Sequence, residues 1–352
     1  GSYVLMAFVP QLRPLMDEYT GLWCGFCPRG FVAMEEMNRL HPDDFVCVSY
    51  HSNGGGDPYS GGEPLQYIAE FPNEVDGFPL AFFNREMELD PYFGSGSKPM
   101  GILDNWQKLR QAECPADISV ELSWADDRHD RLVCRSTTKF VEDADGTAYR
   151  VNYIITGDGF KTKYVYTDDG KVDVKASLLL LQSNYFAGEE CDYDSEFWTP
   201  FIEGGKKIDN LVFNDVAMAL SPIAGEEAFD GALAANTEYT HEYEFDYAKI
   251  VNLEPLAADG SGGPANVLPD DGSLRCIAVL LTADGKFVNC NKSKLLQAAS
   301  VSEVTRDDAA AVSGSEWFDL QGRRVDRPGK GAYIRVDRLA DGSVRRIKTI
   351  KR

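Results

Sequence analysis

Between residues 12 and 112, short apolar runs alternate with helical spacings. Residues 15–19 read as a strand. Beyond them Ala33, Met37 and Leu40 recur at i, i+4 and i+7, predicting a helix that stops at His41-Pro42, because a residue before proline resists helical geometry. Residues 45–50 form a nearly continuous apolar run with β-branched members, the pattern of a strand buried on both faces. A Gly-rich loop at 51–62 leads to an expected helix at 63–71, and Gly77-Phe78-Pro79 opens a strand running through Phe83. Pro99 starts a last helix with Ile102, Trp106 and Leu109 on one face, ending before Cys114-Pro115.

After Pro115 the period changes to two. Residues 118–124, 149–155 and 239–247 alternate, and Asp-Gly pairs at 145/146, 169/170 and 284/285 supply the positive φ angles of tight turns. Residues 116–299 therefore read as a β-sandwich, with one helix expected near 214–220. A two-residue turn at 284/285 would set Cys276 opposite Ser293 and Cys290 opposite Val279, on different faces and unable to bond. Residues 300–315, rich in Ala, Ser and Asp, read as a linker before a separate module at 316–352. The expected fold class is α/β plus all-β: an α/β domain at 1–115, a sandwich at 116–299 and a small C-terminal β module.

Composition narrows the function classes. The 352 residues are 43% hydrophobic and 26% charged, within the globular range. No apolar run approaches the roughly 20 residues of a membrane helix. A formal charge of −21 disfavours nucleic acid, whose binding rests on Lys and Arg displacing counterions. Residues 316–352 hold eleven Lys and Arg against five Asp and Glu, so the tail is basic and compositionally distinct. The chain opens Gly1-Ser2 without Met, which leaves room for a leader removed upstream.

Only Cys24 and Cys27, among eight cysteines, form a close pair in sequence. They sit in Trp23-Cys24-Gly25-Phe26-Cys27, at the junction of a strand and a helix. There, unpaired N–H groups and the helix dipole favour a thiolate, and the second thiol can resolve a mixed disulfide made by the first. Cys24 is thus expected to be the exposed nucleophile and Cys27 the shielded resolving thiol. Zinc would need further Cys or His at ligand spacing, which the sequence lacks, so no metal and no cofactor are assigned. A structural disulfide on a binding scaffold is the alternative to redox chemistry.

The order strand, Trp-Cys-Gly-x-Cys, helix, buried strand, Pro-initiated strand resembles the thioredoxin fold. That resemblance implies a cis peptide before Pro79, placed beside Cys24, and a substrate groove rimmed by Trp23, Phe26 and Phe78. It also implies a buried acid at Glu18, six residues before the first cysteine, able to take the proton of Cys27; a solvent-facing Glu18 is the alternative. Phe26 stands where the family commonly has Pro. Residues 18–30, together with 182–188 and 211–217, resemble the outer-membrane-associated thioredoxin-like family named after a twenty-eight-kilodalton member. This implies an exported protein of the periplasm, outer membrane or cell surface, with protein thiols and disulfides as partners. The tail, through 317–325 and 331–334, is similar to C-terminal modules that serve as type IX secretion sorting signals in some relatives.

The remaining signals are weaker. His51 and the loop after it read as a flexible rim of the groove. Asp143 with Asp145, and Glu189, Glu190, Asp192 and Asp194, read as solvated turns rather than calcium sites. Tyr239, Tyr243 and Tyr247 on one strand face read as core packing rather than a sugar platform. The function expected is an exported thiol-disulfide oxidoreductase-like protein, the alternative being a surface binding or adhesin-type protein with the Cys pair as a staple.

Overall fold

A computed structural model of the chain describes residues 8–52, 57–59, 75–92, 101–174, 177–190, 195–251, 273–296, 312–318, 324–325, 331–339 and 344–351. The helix expected at 63–71 and most of the Gly-rich loop lie outside these residues. The chain divides into two compact units, Gly1–Leu296 and Gln297–Arg352.

The first unit opens with β1 (Leu15–Thr20), α1 (Pro28–Leu40), β2 (Val46–His51), β3 (Leu80–Phe83), β4 (Met87–Leu89) and α2 (Ile102–Leu109). β1 and β2 are buried at every position, which fits the near-continuous apolar run leading into β2, whereas β1 carries Asp17, Glu18 and Thr20 into the interior. α1 begins at Pro28, a residue suited to the first turn because its missing N–H would be unpaired there, and its C-cap is His41, as the His-Pro signal predicts.

The chain continues through β5 (Ala116–Trp124), β6 (Arg131–Phe140), β7 (Ala144–Asp145), β8 (Tyr149–Gly157), β9 (Gln182–Ser183), α3 (Thr199–Glu203), β10 (Lys207–Ile208), β11 (Val216–Leu220), β12 (Ala232–Leu233), β13 (Glu238–Asp246), α4 (Tyr247–Val251), β14 (Leu274–Thr282) and β15 (Phe287–Lys292). Where a helix was expected near 214–220, the structure has strand β11. Its run Val216-Ala-Met-Ala-Leu220 is fully buried, and a five-residue apolar run fits a buried strand and a helix segment equally well by pattern alone.

The sheet order is β15-β14-β8-β11-β2-β1-β3-β4, a mixed eight-stranded sheet. Residues 1–115 and 116–299, read from the sequence as two domains, thus contribute strands to one sheet within one unit. The junction is β11 beside β2, parallel, with Val216 opposite Ser49. On one face, α1 and α2 bury Met34, Met37, Ile102 and Trp106 against Met16, Cys47, Ala81 and Phe83. A second, three-stranded sheet, β13-β6-β5, buries Ile118, Val120, Leu132 and Cys134 in one core with Val151, Tyr153, Cys276 and Ala278 of β8 and β14. The three-stranded sheet thus shares its core with the part of the eight-stranded sheet that extends beyond the α/β elements.

Local features match several sequence expectations. Gly170 and Gly285 take φ of +77° and +85°, as Asp-Gly turns require, whereas Asp145 instead caps a short 3-10 turn through the Thr147 N–H. Val279 lies opposite Cys290, and the Ser293 N–H bonds to the Cys276 carbonyl, although the turn is longer than two residues. Thr282 pairs with Lys286 across three residues, and a bulge at Val288 restores the register. Cys276 and Cys290 are both free and face different cores. Tyr239, Tyr243 and Tyr247 pack against the sandwich core, with Tyr243 stacked on Tyr153 at 5.8 Å.

The second unit holds β16 (Val312–Phe318), β17 (Gly331–Leu339) and β18 (Val344–Lys351) as an antiparallel sheet in that order. β16 starts inside the stretch read as linker. Trp317 packs edge-on to Tyr333 at 6.4 Å, and the Arg335 guanidinium lies 5.8 Å from the Trp317 ring centre. No helix among the described residues is long and apolar enough to cross a membrane.

Candidate functional site

The loop between β1 and α1 carries Cys24 and Cys27. They are paired as a disulfide with Cα atoms 5.4 Å apart, inside the span such bonds allow. Cys27 is the N-cap of α1, and Cys24 lies one turn earlier, its carbonyl accepting the Cys27 N–H at 3.3 Å. The pair therefore meets the helix start, with Cys27 rather than Cys24 at the cap.

Of the residues expected to rim a groove, Trp23 and Phe78 lie together beside Cys24, whereas Phe26 meets Tyr185. The peptide between Phe78 and Pro79 is cis, and Cys24 Sγ lies 3.6 Å from the Phe78 carbonyl oxygen. Trp23 meets the Phe78 ring edge-on at 5.4 Å and donates its indole N–H to the Ser52 carbonyl at 3.3 Å. Trp23 and Phe26 are 39% and 53% exposed, so the rim faces solvent. The expected exposed nucleophile is not seen in this disulfide state: Cys24 is 5% and Cys27 1% exposed.

Part of that cover comes from a segment to which sequence reasoning gave no role. The Ser183 N–H donates to the Leu22 carbonyl at 2.6 Å, and the Tyr185 N–H to the Gly25 carbonyl at 3.0 Å. The Gln182 side-chain amide donates to the Cys24 carbonyl at 2.9 Å. The Tyr185 ring meets Phe26 edge-on at 5.0 Å, and a Cβ at Gly25 would come within 2.6 Å of it. Residues 182–185 thus strap the cysteine loop, and Gly25 leaves room for the strap. The Asn-Tyr-Phe of the 182–188 motif was visible in sequence, but its partner loop lies some 160 residues earlier.

Beneath the loop lies Glu18. The β1–β2 register sets it opposite Ser49 and sets Thr20 opposite His51, and period two puts all four on the α1 side with Met16 and Cys47. Glu18 is buried, so the solvent-facing alternative falls. Burial pushes its carboxyl up to about 7, with hydrogen bonds from Ser49 and Thr20 and the charge of His51 pulling the other way. A Cβ at Gly30 would collide with Glu18 Oε1, so the carboxyl reaches under the first turn of α1.

His51 is not a flexible rim but a buried residue. Its Nδ1 lies 2.8 Å from Asp57 Oδ2, both side chains being almost wholly enclosed. The same Asp57 oxygen accepts the Leu22 N–H at 2.9 Å, and its other oxygen accepts the Tyr59 N–H at 3.0 Å. Asp57 was not singled out from the sequence, since nothing local marks an Asp after three glycines as a partner for a strand-end His. Among the described residues no cluster of three His, Cys, Asp or Glu could hold a metal. Asp143 accepts the Ala235 N–H and Asp145 the Thr147 N–H.

No family model matches the chain, and no curated protein matches it by sequence. Among solved structures it is similar to HBP35 of Porphyromonas gingivalis, at 13% identity and a TM-score of 0.46, over 97% of this chain and 99% of that one. A protein of Agrobacterium tumefaciens is similar at 13% identity and a TM-score of 0.40, over 82% of this chain and 96% of that one.

Proposed function

We propose that the protein is a thiol-disulfide oxidoreductase-like protein built on a thioredoxin-like scaffold. The observation that carries this reading is the position of Cys24 Sγ, 3.6 Å from the carbonyl that precedes the cis-Pro79 peptide. In such a site a partner's sulfur attacks or leaves at Cys24. Cys27 resolves the mixed disulfide, and Glu18, buried beneath α1's first turn with its carboxyl near 7, exchanges the proton. Trp23, Phe26 and Phe78 offer apolar contact to the partner chain. Protein thiols and disulfides are the substrate class, and membership of the outer-membrane-associated thioredoxin-like family, with export and a sorting role for the basic tail, belongs to the same proposal.

The test is reduction of a protein disulfide by the full chain with a dithiol as electron donor. Catalysis lost in Cys24→Ser, with mixed disulfides trapped by Cys27→Ser, supports the reading. One observation favours a second reading: both cysteines are nearly enclosed, as in a structural staple. On that reading the pair resists dithiothreitol in the native state and no turnover is measured.

A further inference from the structure

The buried imidazole beside Glu18 has no part in the exchange described so far. We propose that His51, locked by Asp57, is a positioning residue that keeps Glu18 ionised as proton acceptor for Cys27, an inference that rests on the oxidoreductase reading. The geometry is a chain of enclosed groups. His51 Nδ1 is held at 2.8 Å by Asp57 Oδ2, and that oxygen also holds the backbone of Leu22, two residues before Cys24. Glu18 lies on the same sheet face, one pleat step along from Thr20, which faces His51. Among the described residues its Oε1 has no hydrogen-bond partner, although fully enclosed, and it is aimed at the first turn of α1, which Cys27 caps.

The groups that face the two side chains define the electrostatics. Around Glu18 these are Ser49 and His51 of β2 and Thr20 of its own strand. Around His51 they are Asp57 and Glu18, with the rings of Tyr59 and Phe213 at 5.5 and 6.1 Å. Burial works against the imidazolium, but the charge and hydrogen bond of Asp57 and the charge of Glu18 outweigh it and raise the His51 pKa. A cationic His51 in turn lowers that of Glu18.

In the resolving step the Cys27 thiol gives its proton to the Glu18 carboxylate as its sulfur attacks Cys24 of the mixed disulfide. The Cys24–Cys27 bond forms, the bond from Cys24 to the partner breaks, and the partner leaves as a thiolate that takes a proton from water. The partner disulfide is reduced to two thiols and the Cys pair is oxidised, to be reduced again by a dithiol donor.

The experiment is the titration of the Glu18 carboxyl in the full reduced chain, by carbon-13 NMR with labelled glutamate, Glu18→Gln identifying the resonance. His51→Asn keeps an amide N–H for Asp57 without the charge, and should raise the Glu18 midpoint by about one pH unit. The acidic limb of the pH profile for reducing a small aromatic disulfide should move up with it. Asp57→Asn, which removes the carboxylate that holds the imidazolium, should move the midpoint the same way and serves if His51→Asn does not fold. A midpoint unmoved in both variants overturns the proposal. So does an active chain whose profile ignores the shift. Absence of turnover in the wild type overturns the oxidoreductase reading and the proton-acceptor role with it, whereas the midpoint still decides whether His51 controls Glu18.

Discussion

Glu18 Oε1 occupies the space that a side chain at Gly30 would need. The carboxyl is enclosed between β1 and the first turn of α1, and the glycine three residues after the Cys27 cap makes that possible. The Cys27-Pro28-Arg29-Gly30 run therefore does two things: it starts the helix and clears a place for the acid beneath it.

Gly30→Ala should destabilise the fold despite alanine's better helix propensity. Overpacking a closed site costs about 1–3 kcal/mol, against a propensity gain of about 1 kcal/mol. A net loss near 1 kcal/mol is expected by urea unfolding. In a Glu18→Ala background the same substitution should be neutral or stabilising, since the two sites are in contact and their effects should not add. Equal costs in both backgrounds would refute the contact.

Stability should fall as the pH rises through the titration of the buried acids. Glu18 moves from an ordinary 4.5 to about 7 in the folded chain, and Asp17 from 3.8 to about 6, burial being the largest cause for each. The folded state then holds protons that the unfolded chain has released. Their contribution is complete below about pH 4 and is lost as the pH climbs to about 7. For Glu18 the span corresponds to roughly 3 kcal/mol. Glu18→Gln should remove that share of the slope, leaving the decline from Asp17 and from Glu35, whose carboxyl burial likewise raises to about 7. Urea midpoints measured from pH 4 to 8 check this; parallel curves for wild type and variant would show that Glu18 titrates normally.

The α/β elements were legible because their signals are local. The apolar run over β2, the Pro28 start and His41-Pro42 end of α1, and the Gly-Phe-Pro lead into β3 each sit within a few residues. The sheet that joins them to β8, β11 and β14 was not legible, because Val216 meets Ser49 across 167 residues and no periodicity reports a strand's neighbour. The same limit hid the site's outer parts. The offset of Glu18 from Cys24 suggested its place, but the Asp57 grip on His51 and the Tyr185 strap exist only once distant segments meet. Val216–Leu220 failed for another reason: buried on all sides, it carries neither a period of two nor one of 3.6.

A chain ended after Leu296 should keep the eight-stranded sheet. Every strand of that sheet finds its partners within residues 15–292, and the Leu296 N–H closes onto the Leu274 carbonyl at 2.7 Å. The truncated chain should unfold cooperatively within about 4 °C of the full one, a difference of roughly 1 kcal/mol for a unit this size. A larger fall would mean that residues beyond 296 complete the core.

Tyr185→Ala should speed reduction of the Cys24–Cys27 bond. The Tyr185 ring lies against Phe26 and over Gly25, between the two cysteines, and both cysteines are nearly enclosed although Trp23 and Phe26 beside them are not. Removing the ring takes away apolar cover while the Gln182 and Ser183 hydrogen bonds still hold the loop. Attack by a small thiol depends on access to the sulfur, so a rise of several-fold in the rate is expected, with little change in the reduction potential, because the bonded atoms and Glu18 are untouched. Timed exposure to dithiothreitol, followed by an alkylating quench and mass analysis, gives the rate. Gly25→Ala should act in the same direction by pushing the ring aside. If neither variant changes the rate, the tyrosine does not limit access to the pair, and the enclosure of Cys24 rests on Phe78 and the loop itself.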